Sequence, residues 1–593
     1  MVSGNLVGRM YSDFRGVDFR GGEVDLARSP DALNMWKDYK QPDRLIRMPD
    51  FSQIGSFDGP IHSIKFWDDE RMERTDNSSK KKLLPLVIAG SSLYAGYGNM
   101  QEKIGVLPSQ PGFFKGSSMF IFNDVAYIKT GISYIQYDGT TVKQVEGYIP
   151  TTSINRNPSG GGVINEDVNL LTRRRKNTFR GDGTSTVFYL DTDQLDASEE
   201  PIVTVDGKPV ALATPSWGNN GGNSIRVASA PPVPTSTGDN VCIEFSVLEP
   251  NDYPKRSIDK IWNCSLATVF DNRVFFSGNP HYPNTVWHSS LDDPTYVSDL
   301  DYYIEGQDGM PVTAMVAGNN ALWVLKKPSP ENNSIFYHVP TIDSEYGKIY
   351  PSTHSNIATG CVGSGANFND DIVFFSDNGM EGISGDITTE QVISHRSSMV
   401  DAKLLKEENY ENMILEEWNG YLLVFIGNKV YLADSRAMHQ IENHFEYEWF
   451  YWELETSVIC TAVHDGILYA GTEDGYLYRF VEGRSSRGEA YWTTPMDKFG
   501  YPHFLKTTNK RGCVIEGTKL FDIYVRTNKS EWEKIGAHKN GADYTVCRTK
   551  KKKFREIQMK FHAGSGEPPY NFSIKSATLE CYIGGYVKRE GGT

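Results

Sequence analysis

The stretch at residues 120–142, FIFNDVAYIKTGISYIQYDGTTV, alternates apolar with polar residues and is interrupted by three short turns. Asn-Asp, Thr-Gly and Asp-Gly stand at the interruptions, and these residue types suit the positive φ angles of tight hairpins. A period of two is typical of half-buried strands. The stretch therefore predicts strand, turn, strand, turn, strand.

Five further stretches repeat this pattern of strand, Asn/Asp/Gly turn and second strand. They are TVFDNRVFFSGNPHYPNTVWHSS from Thr268, MVAGNNALWVLKK from Met315, ANFNDDIVFFSDNGMEGIS from Ala366, EEWNGYLLVFIGNKVYLAD from Glu416 and AVHDGILYAGTEDGYLYRF from Ala462. Their second turn residues, Asn272, Asn320, Asp370, Gly420 and Gly466, are separated by 48, 50, 50 and 46 residues. A regular step of this length with several strands per unit is typical of β-propeller blades.

Two more turns extend the series, one at Asp124 and a weaker one at Ser92. Seven turn signals predict an all-β fold containing a β-propeller of about seven blades, with six or eight as alternatives. A β-sandwich whose hairpins are evenly spaced by coincidence is the competing interpretation, and the regular step argues against it.

The repeat divides the chain. The 148 residues between Asp124 and Asn272 exceed one step, and they contain alternating strands joined by Asp-Gly and Gly-Asp turns. We therefore expect a small inserted β-sandwich. The predicted division is an N-terminal arm at 1–57, first blades at 58–160, an inserted module at 165–252, remaining blades at 255–485 and a C-terminal β-domain at 490–593. The arm is expected to be extended and ordered by neighbouring chains, and 153–172 is expected to be an exposed loop.

Composition restricts the function. The 593 residues carry a formal net charge of −15, which argues against a whole-protein clamp for nucleic acid. Seven scattered cysteines without a CxxC pair indicate reduced thiols in a cytosol. The N-terminus lacks the apolar core of a signal peptide, and no apolar run is long enough to predict a membrane span.

The sequence contains no recognisable catalytic or cofactor motif, so we expect no enzyme activity, no cofactor and no metal site. Gly181 and Gly183 precede a strand, whereas a phosphate cradle needs a following helix N-terminus. The pair His439 and His444 is more typical of packing or surface residues than of ligands. The adjacent carboxylates Asp370 and Asp371 supply too few oxygen atoms for calcium.

Two basic clusters stand out in this acidic chain: Arg173, Arg174, Arg175 and Lys176 in the first, and Lys551, Lys552 and Lys553 within RTKKKKFR in the second. They are candidate contacts for DNA or an acidic partner. The alternative, which we favour, is a solvated turn or an edge strand protected by lysine. The aromatic run HFEYEWFYWEL at 444–454 predicts a buried strand, although Trp449 and Trp452 could also anchor an interface.

Three stretches carry a resemblance to bacteriophage tail proteins. RSPDALNMWKDYKQPDRLIRMPDF at 28–51 resembles the segment that such proteins place before their first blade. Residues 122–152 followed by RRRKNTFRGDGTSTVFYL at 173–190 resemble a blade and inserted module of phage structural proteins. The end of the chain, from GTKLFDIYVRTNKSEWEKI to FSIKSATLECYI, resembles the closing β-domain of the tail-hub family. The chain is thus similar to the tail-hub or stabilisation family of short-tailed phages, and more distantly to the nozzle (tail tubular B) family.

The resemblance implies a non-enzymatic virion protein, made in the host bacterial cytoplasm and located in the tail. It implies a homohexameric ring that prolongs the DNA-ejection channel. The implied partners are the portal or adaptor, other tail proteins, double-stranded DNA in transit without sequence specificity and, indirectly, the host envelope. The inserted sandwich departs from the simplest tail-hub members.

Two other functions compete with this expectation. The first is a phage adhesin whose inserted module recognises a cell-surface polymer, for which exposed stacked aromatics would be the sign; Trp217 is the module's single tryptophan. The second is a propeller enzyme such as a glycosidase or lyase, which requires carboxylates that converge at one site.

Overall fold

The computed structural model describes residues 5–67, 73–75, 81–110, 112–114, 118–217, 222–251, 253–344, 347–355, 359–384, 392–441, 444–528, 530–565 and 572–586. The chain divides into two compact units. Unit 1 comprises Met1–Phe66, Leu84–Lys103 and Gly360–Thr593, and unit 2 comprises Trp67–Leu83 and Ile104–Thr359.

Short strands with tight turns dominate the first quarter of the chain. The strands up to residue 144 are β1 (Leu6–Tyr11), β2 (Ala32–Leu33), β3 (Met35–Trp36), β4 (Leu45–Arg47), β5 (Pro49–Ser56), β6 (Ile61–Lys65), β7 (Glu73–Thr75), β8 (Lys81–Leu83), β9 (Leu86–Ala89), β10 (Ser92–Ala95), β11 (Glu102–Val106), β12 (Met119–Phe122), β13 (Val125–Lys129), β14 (Tyr134–Tyr137) and β15 (Val142–Gln144). A 3-10 turn spans Gly98–Met100.

The following residues form the inserted module and the next two blades. Their elements are β16 (Thr151–Arg156), β17 (Val163–Ile164), β18 (Arg174–Phe179), β19 (Val187–Tyr189), β20 (Ile202–Val205), β21 (Lys208–Pro209), β22 (Leu212–Trp217), β23 (Ser224–Val227), β24 (Val241–Ser246), α1 (Asp259–Trp262), β25 (Leu266–Phe270), β26 (Arg273–Ser277), β27 (Thr285–His288), β28 (Tyr302–Ile304), β29 (Val312–Gly318), β30 (Ala321–Lys326), β31 (Ile335–His338), β32 (Thr341–Asp343), β33 (Gly347–Ile349) and β34 (Ser352–His354).

The last third of the chain has longer strands. They are β35 (Gly365–Phe368), β36 (Asp371–Ser376), β37 (Gly379–Ser384), β38 (Val392–His395), then α2 (Asp401–Leu404) and a 3-10 turn (Tyr410–Asn412), β39 (Ile414–Trp418), β40 (Tyr421–Ile426), β41 (Lys429–Ile441), β42 (His444–Glu453), β43 (Val458–His464), β44 (Ile467–Thr472), β45 (Tyr476–Ser485), β46 (Ala490–Thr493), β47 (Phe504–Thr518), β48 (Phe521–Thr527), β49 (Glu533–His538), β50 (Tyr544–Cys547), β51 (Lys552–Phe554), β52 (Ile557–Ala563) and β53 (Ser573–Tyr586).

The propeller prediction is confirmed by the strand pairing. Within the described ranges, seven groups of four antiparallel strands recur: blade 1 (β6, β9–β11), blade 2 (β12–β15), blade 3 (β25–β28), blade 4 (β29–β31, β34), blade 5 (β35–β38), blade 6 (β39–β42) and blade 7 (β43–β45, β5). Central strands are apolar and buried; all six residues of β36 are buried, as are all six of β40. The chain is therefore an all-β protein built on β-propeller blades.

The turn chemistry explains the regular step. In six blades the first two strands are joined by two residues that both have positive φ: Asn123-Asp124, Asp271-Asn272, Asn319-Asn320, Asn369-Asp370, Asn419-Gly420 and Asp465-Gly466. Two positive φ angles match the right-handed twist of a hairpin, which is why Asn, Asp and Gly occupy these positions. Ser92 differs, because it follows the turn between the second and third strands of blade 1, whose first two strands are separated by β7 and β8.

The inserted module is a two-sheet unit with its own core. One sheet has the order β17-β16-β18-β24-β20-β21 and the other β19-β23-β22. The buried core includes Phe179, Phe188, Ile225 and Ile243. Its pairing begins at Thr151, before the predicted start at 165, since β16 runs parallel to β18. The predicted loop at 153–172 thus contains a short hairpin.

The expectation that the 1–57 arm depends on neighbouring chains is wrong. Every strand in it pairs within the same chain: β1 with β53, β2 with β46, β3 with β42, β4 with β53, and β5 with β45. β5 thereby completes blade 7. The arm lacks periodicity because its short strands lie in three different sheets, so no single repeat governs them.

The C-terminal β-domain is continuous with blade 6. A five-stranded sheet has the order β2-β46-β52-β48-β49, and an eleven-stranded sheet runs β39-β40-β41-β42-β3-β4-β53-β47-β50, with β1 and β51 at its side. One apolar cluster that includes Trp36, Trp452 and Trp492 joins these elements. Hydrogen bonding therefore extends from a blade through the N-terminal strands into the C-terminal domain.

Candidate functional site

The first predicted basic cluster is partly neutralised inside the module. Arg173 pairs with Asp196 at 2.6 Å and also with Glu199, and Arg174 pairs with Glu244 at 2.6 Å. The hydroxyl of Ser198, together with Arg173, lowers the pKa of Asp196. Two of the four cations are thus engaged by carboxylates of the module, two in the connection between β19 and β20 and one on β24.

The other two residues of this cluster lie on β18. Arg175 stands opposite Phe245 and Lys176 opposite Glu244 on β24. Both side chains are half-buried. A cross-strand carboxylate beside Lys176 is a stabilising arrangement within the sheet. The first basic cluster is therefore better described as part of the module's own structure than as a free anion-binding surface.

The second predicted cluster has a different setting. Lys551 forms an ion pair with Glu533, whereas Lys552 and Lys553 are exposed. Lys553 has a φ of 54°, which turns the chain at this point. Lys552 stands opposite Thr507 on β47, so the cluster lies at the side of the eleven-stranded sheet.

A bulge in β47 brings two more cations to this place. Thr508 pairs with Cys581 and Cys513 with Leu579, which leaves 509–512 opposite the single residue Glu580. Bulges of this kind redirect side chains. Gly512 is required there, since a Cβ atom would lie 2.6 Å from that of Glu580. The exposed side chains of the bulge are Lys510 and Arg511.

The bulge faces the link between β50 and β51. Cys513 pairs with Cys547 on one side, and the Thr508 amide donates to the Lys551 carbonyl at 2.9 Å on the other. The exposed cations of the bulge, of this link and of β51 form the basic patch: Lys510, Arg511, Arg548, Lys550, Lys552 and Lys553. In the part of the chain that the structure describes, no acidic side chain forms an ion pair with any of these six.

The sequence interpretation missed Lys510 and Arg511 because forty residues separate them from the lysine run. Regional charge was the available signal. Residues 490–593 contain 19 basic and 10 acidic residues, which gives a net charge of +9. Because the whole chain has a net charge of −15, residues 1–489 have a net charge of −24. The basic charge is thus concentrated in one domain.

A partly exposed and mostly apolar row of side chains adjoins the patch. Met10, Thr578, Val514 and Val546 stand opposite one another across β1, β53, β47 and β50. Met10 is 59% exposed and Val546 46%, and nearby Tyr544 is 62% exposed. Alternate residues point to the other face, where burial raises the pKa of Cys581 to about 12 and keeps its thiol neutral.

A cavity of about 310 Å³ lies elsewhere in unit 1, between the segments that follow β1 and β3 and the strands β41 and β42. Its charged lining is balanced, with three acidic and three basic residues: Asp13, Asp434, Glu448, Arg15, Lys37 and Arg436. The Glu448 carboxylate accepts from Arg28 at 2.5 Å in a fully buried pair. The cavity walls are therefore held by internal ion pairs.

The His395 cluster in blade 5 was not predicted, and it is the arrangement closest to an acid–base site. His395 Nε2 lies 2.6 Å from Asp401, and Nδ1 lies 3.2 Å from Glu381. Burial alone would lower the pKa of His395, but hydrogen bonds to Asp401 and Glu381 raise it to about 10. The ring is thus an imidazolium at neutral pH and no general base. Ser397 donates to Asp401 at 2.6 Å, so the ring does not activate this hydroxyl.

The other candidate residues are structural. Asp371 accepts from Arg396 and from the Tyr447 hydroxyl. Gly181 and Gly183 flank Asp182, which accepts from two following amides in a turn. In the described ranges, no three His, Cys, Asp or Glu side chains are grouped to hold a metal ion.

The aromatic run contains a buried strand, as predicted. Trp449 and Trp452 are fully buried, and the Trp449 indole donates to the Arg396 carbonyl at 3.0 Å. The alternative that these tryptophans anchor an interface is therefore wrong. The side chain of His444 lies outside the described residues, and His439 stands opposite Glu446 in β42.

No protein-family model and no curated protein sequence matches the chain. Among solved structures, the computationally designed Ika8 protein is 7% identical, with 73% of this chain and 99% of that chain covered and a TM-score of 0.31. BamB from Moraxella catarrhalis is 12% identical, with 77% and 97% covered and a TM-score of 0.24. The gluconolactonase from Xanthomonas campestris is 8% identical, with 77% and 99% covered and a TM-score of 0.26. With TM-scores this low, these likenesses carry no argument about activity.

Of the helices that the structure describes, none combines the length and the apolar composition needed to cross a lipid bilayer.

Proposed function

We propose that the chain is a non-enzymatic structural protein of a bacteriophage tail, a hub or nozzle component that forms a homohexameric ring around the DNA-ejection path. The observation that carries the proposal is the eleven-stranded sheet, which links blade 6, the N-terminal strands and the C-terminal domain. A continuous hydrogen-bonded sheet transmits load between its parts without a flexible hinge.

The sequence resemblance supports the same function, because its first and last stretches fall on these linked elements. Residues 28–51 contain β3 and β4, and the C-terminal stretch contains most of β53; all three strands belong to the eleven-stranded sheet. Two of the three resembling stretches therefore include strands that join blade 6 to the C-terminal domain.

Charge supports a conduit. Residues 1–489 carry a net charge of −24, and six whole copies at −15 each would carry about −90. DNA in transit must slide without the counterion-releasing phosphate contacts that make binding tight. Acidic blades would repel the duplex and keep it mobile. The proposed partners are the portal or adaptor ring above, other tail proteins, DNA in transit and, indirectly, the host envelope.

The adhesin alternative receives less support. Exposed stacked aromatics on the module would favour it, but within the module residues that the structure describes, the one ring pair is Phe179 with Phe188, and both are buried. Tyr189 is an exposed single ring, and the side chain of Trp217 lies outside the described residues. We retain polymer binding by the module as the second candidate only.

The test is the composition of purified virions. We expect quantitative mass spectrometry of gradient-purified particles to find this chain at about the copy number of a six-fold tail ring. Electron microscopy of particles that carry a tag on the module should place the tag on the tail. Absence of the chain from purified particles would overturn the proposal. A peripheral, fibre-like location would favour the adhesin.

A further inference from the structure

We infer that the basic patch and the adjoining partly exposed row of β1, β53, β47 and β50 form a docking surface for the acidic part of a second copy of this chain. The row is Met10, Thr578, Val514 and Val546. The inference rests on the proposed function only for the closure of such contacts into a ring.

Charge complementarity identifies the occupant. The domain that bears the patch has a net charge of +9, while residues 1–489 have −24. Two patches would repel each other, so a contact between copies must join unlike surfaces. Such a heterologous contact produces a ring when its rotation closes and a filament when it does not. Opposite potentials also accelerate and orient the encounter.

The apolar row distinguishes a protein partner from nucleic acid. Met10, Val546 and Tyr544 are each about half exposed or more on one face of the sheet. A phosphate backbone would neutralise the lysines and arginines but leave these side chains in water. A protein partner covers both, because interfaces combine an apolar centre with a polar, charged rim.

The surface is held in place by pairing and packing within the chain. Its strands are paired along their length, and Ala577, Leu579, Cys513 and Ile515 on the opposite face are buried in the large core. The Asn509 amide donates to Glu580 at 2.7 Å and holds the bulge that presents Lys510 and Arg511. Docking therefore requires little ordering of this surface, and that cost is one of the main terms opposing association.

The experiment is sedimentation velocity of the full chain over a range of concentrations, at about 0.05 M and about 0.5 M NaCl, since screening lengths shrink with salt. We compare the natural chain with Lys510→Glu/Arg511→Glu and with Val546→Glu. The matched control is Lys143→Glu/Lys208→Glu, which reverses two exposed lysines outside the patch. Thermal melts verify that every variant is folded, and Lys552→Gln/Lys553→Gln provides a milder patch variant.

We expect the natural chain to self-associate, more weakly at high salt. The patch reversal should raise the dissociation constant by about tenfold or more, because two glutamates on the patch would repel the acidic surface of the second copy. Val546→Glu should weaken association at both salt concentrations, and the control should leave it nearly unchanged. A natural chain that stays monomeric at both salt concentrations, or a patch reversal that associates as the natural chain does, would overturn the inference.

A short double-stranded DNA provides the competing probe, measured by fluorescence anisotropy. DNA binding that disappears in the patch reversal while self-association stays intact would assign the surface to phosphate and overturn the docking of a second copy. Failure of the tail proposal has a separate signature. If the chain self-associates through the patch but is absent from purified virions, the docking surface is supported and the proposal of a tail protein is rejected.

Discussion

The N-terminal segment and the inserted module both interrupt the blade repeat, yet the structure uses them in opposite ways. Strands β1–β5 are distributed over three sheets, and their partners outside the segment lie between 416 and 576 positions later in the chain. The module pairs its nine strands with one another and has its own core. Both segments interrupt the blade repeat in the sequence. The sheets of unit 1 include strands of the N-terminal segment, whereas the module forms its sheets from its own strands.

The difference has a physical origin. A short strand is stable only when its backbone groups and apolar face find partners. The module supplies both locally, because its strands lie within about a hundred residues of one another and pair into two sheets of their own. The N-terminal strands complete sheets whose other strands lie far along the chain, so they are stable only as parts of those larger sheets. Trp36 stacks on Trp418 at 5.5 Å and contacts Trp452 in blade 6.

The largest expected effect is deletion of residues 1–57. The segment buries Tyr11, Phe14, Met35, Trp36 and Leu45, and each such side chain contributes roughly 2 kcal/mol. The sum approaches the whole stability of a domain, about 5–15 kcal/mol. We expect the deleted chain to lose its cooperative thermal transition, followed by circular dichroism. Residues 150–248 expressed alone are the control and should fold. A deleted chain that melts as the full chain does would show that the arm is dispensable.

A smaller, local effect is expected for Phe188→Ala. Phe188 is fully buried in the module core against Phe179, at a ring distance of 5.3 Å. Truncation of a buried Phe costs about 3–5 kcal/mol. Calorimetry should show the module transition shifted down while the transition of unit 1 keeps its midpoint. If both transitions moved together, the module would be energetically coupled to the blades, and the contrast with the N-terminal segment would fail.

Unit 1, which contains the N-terminal segment, and the module should also respond to opposite ends of the pH scale. His395 in unit 1 has a pKa raised from 6.5 to about 10 by Asp401 and Glu381, against the cost of its burial. Its stabilisation is therefore complete below about pH 6.5 and is lost as pH rises through about 10. In the module, the pKa values of Asp196 and Glu199 are lowered, with serine hydroxyls as the largest cause.

The contribution of these two carboxylates is present above their unfolded pKa values of about 4 and is lost as pH falls below them. Calorimetric melts and urea titrations followed by fluorescence, repeated from acidic to alkaline pH, measure how the stability of unit 1 and of the module changes with pH. His395→Gln should remove the alkaline slope from unit 1 and leave the module unchanged. An alkaline slope that persists in this variant would assign the effect to other groups.

The smallest effect separates the two basic clusters. Arg173 is about one-third exposed and paired with Asp196 and Glu199, so Arg173→Ala should destabilise the module by less than about 1 kcal/mol. Lys552→Ala should leave the stability of unit 1 unchanged, because Lys552 is exposed and has no ion pair to a described residue. Chemical denaturation of both variants tests this. A larger loss at Lys552 than at Arg173 would reverse our assignment of which cluster belongs to the fold.

The sequence by itself determined the all-β class, the step of the blades and the turn residues. These depend on local chemistry: positive φ at Asn, Asp and Gly, and alternation along a strand. The run at 120–142 has the predicted strands, and its first turn at Asn123-Asp124 has both φ angles positive. The presence of an inserted sandwich was also predictable, since its strands and turns are contiguous, although its first strand at Thr151 was not.

Only the tertiary structure decided the partners that lie far apart in the chain. Nothing local in 49–56 shows that this strand completes a blade whose other strands begin at Val458. Likewise, Lys510 and Arg511 join Lys552 and Lys553 because a bulge in β47 faces the link before β51. The period of the apolar residues predicts which face of a strand is buried, but it does not predict which strand lies beside it. That choice is made by packing and by the pairing of backbone groups across the whole fold.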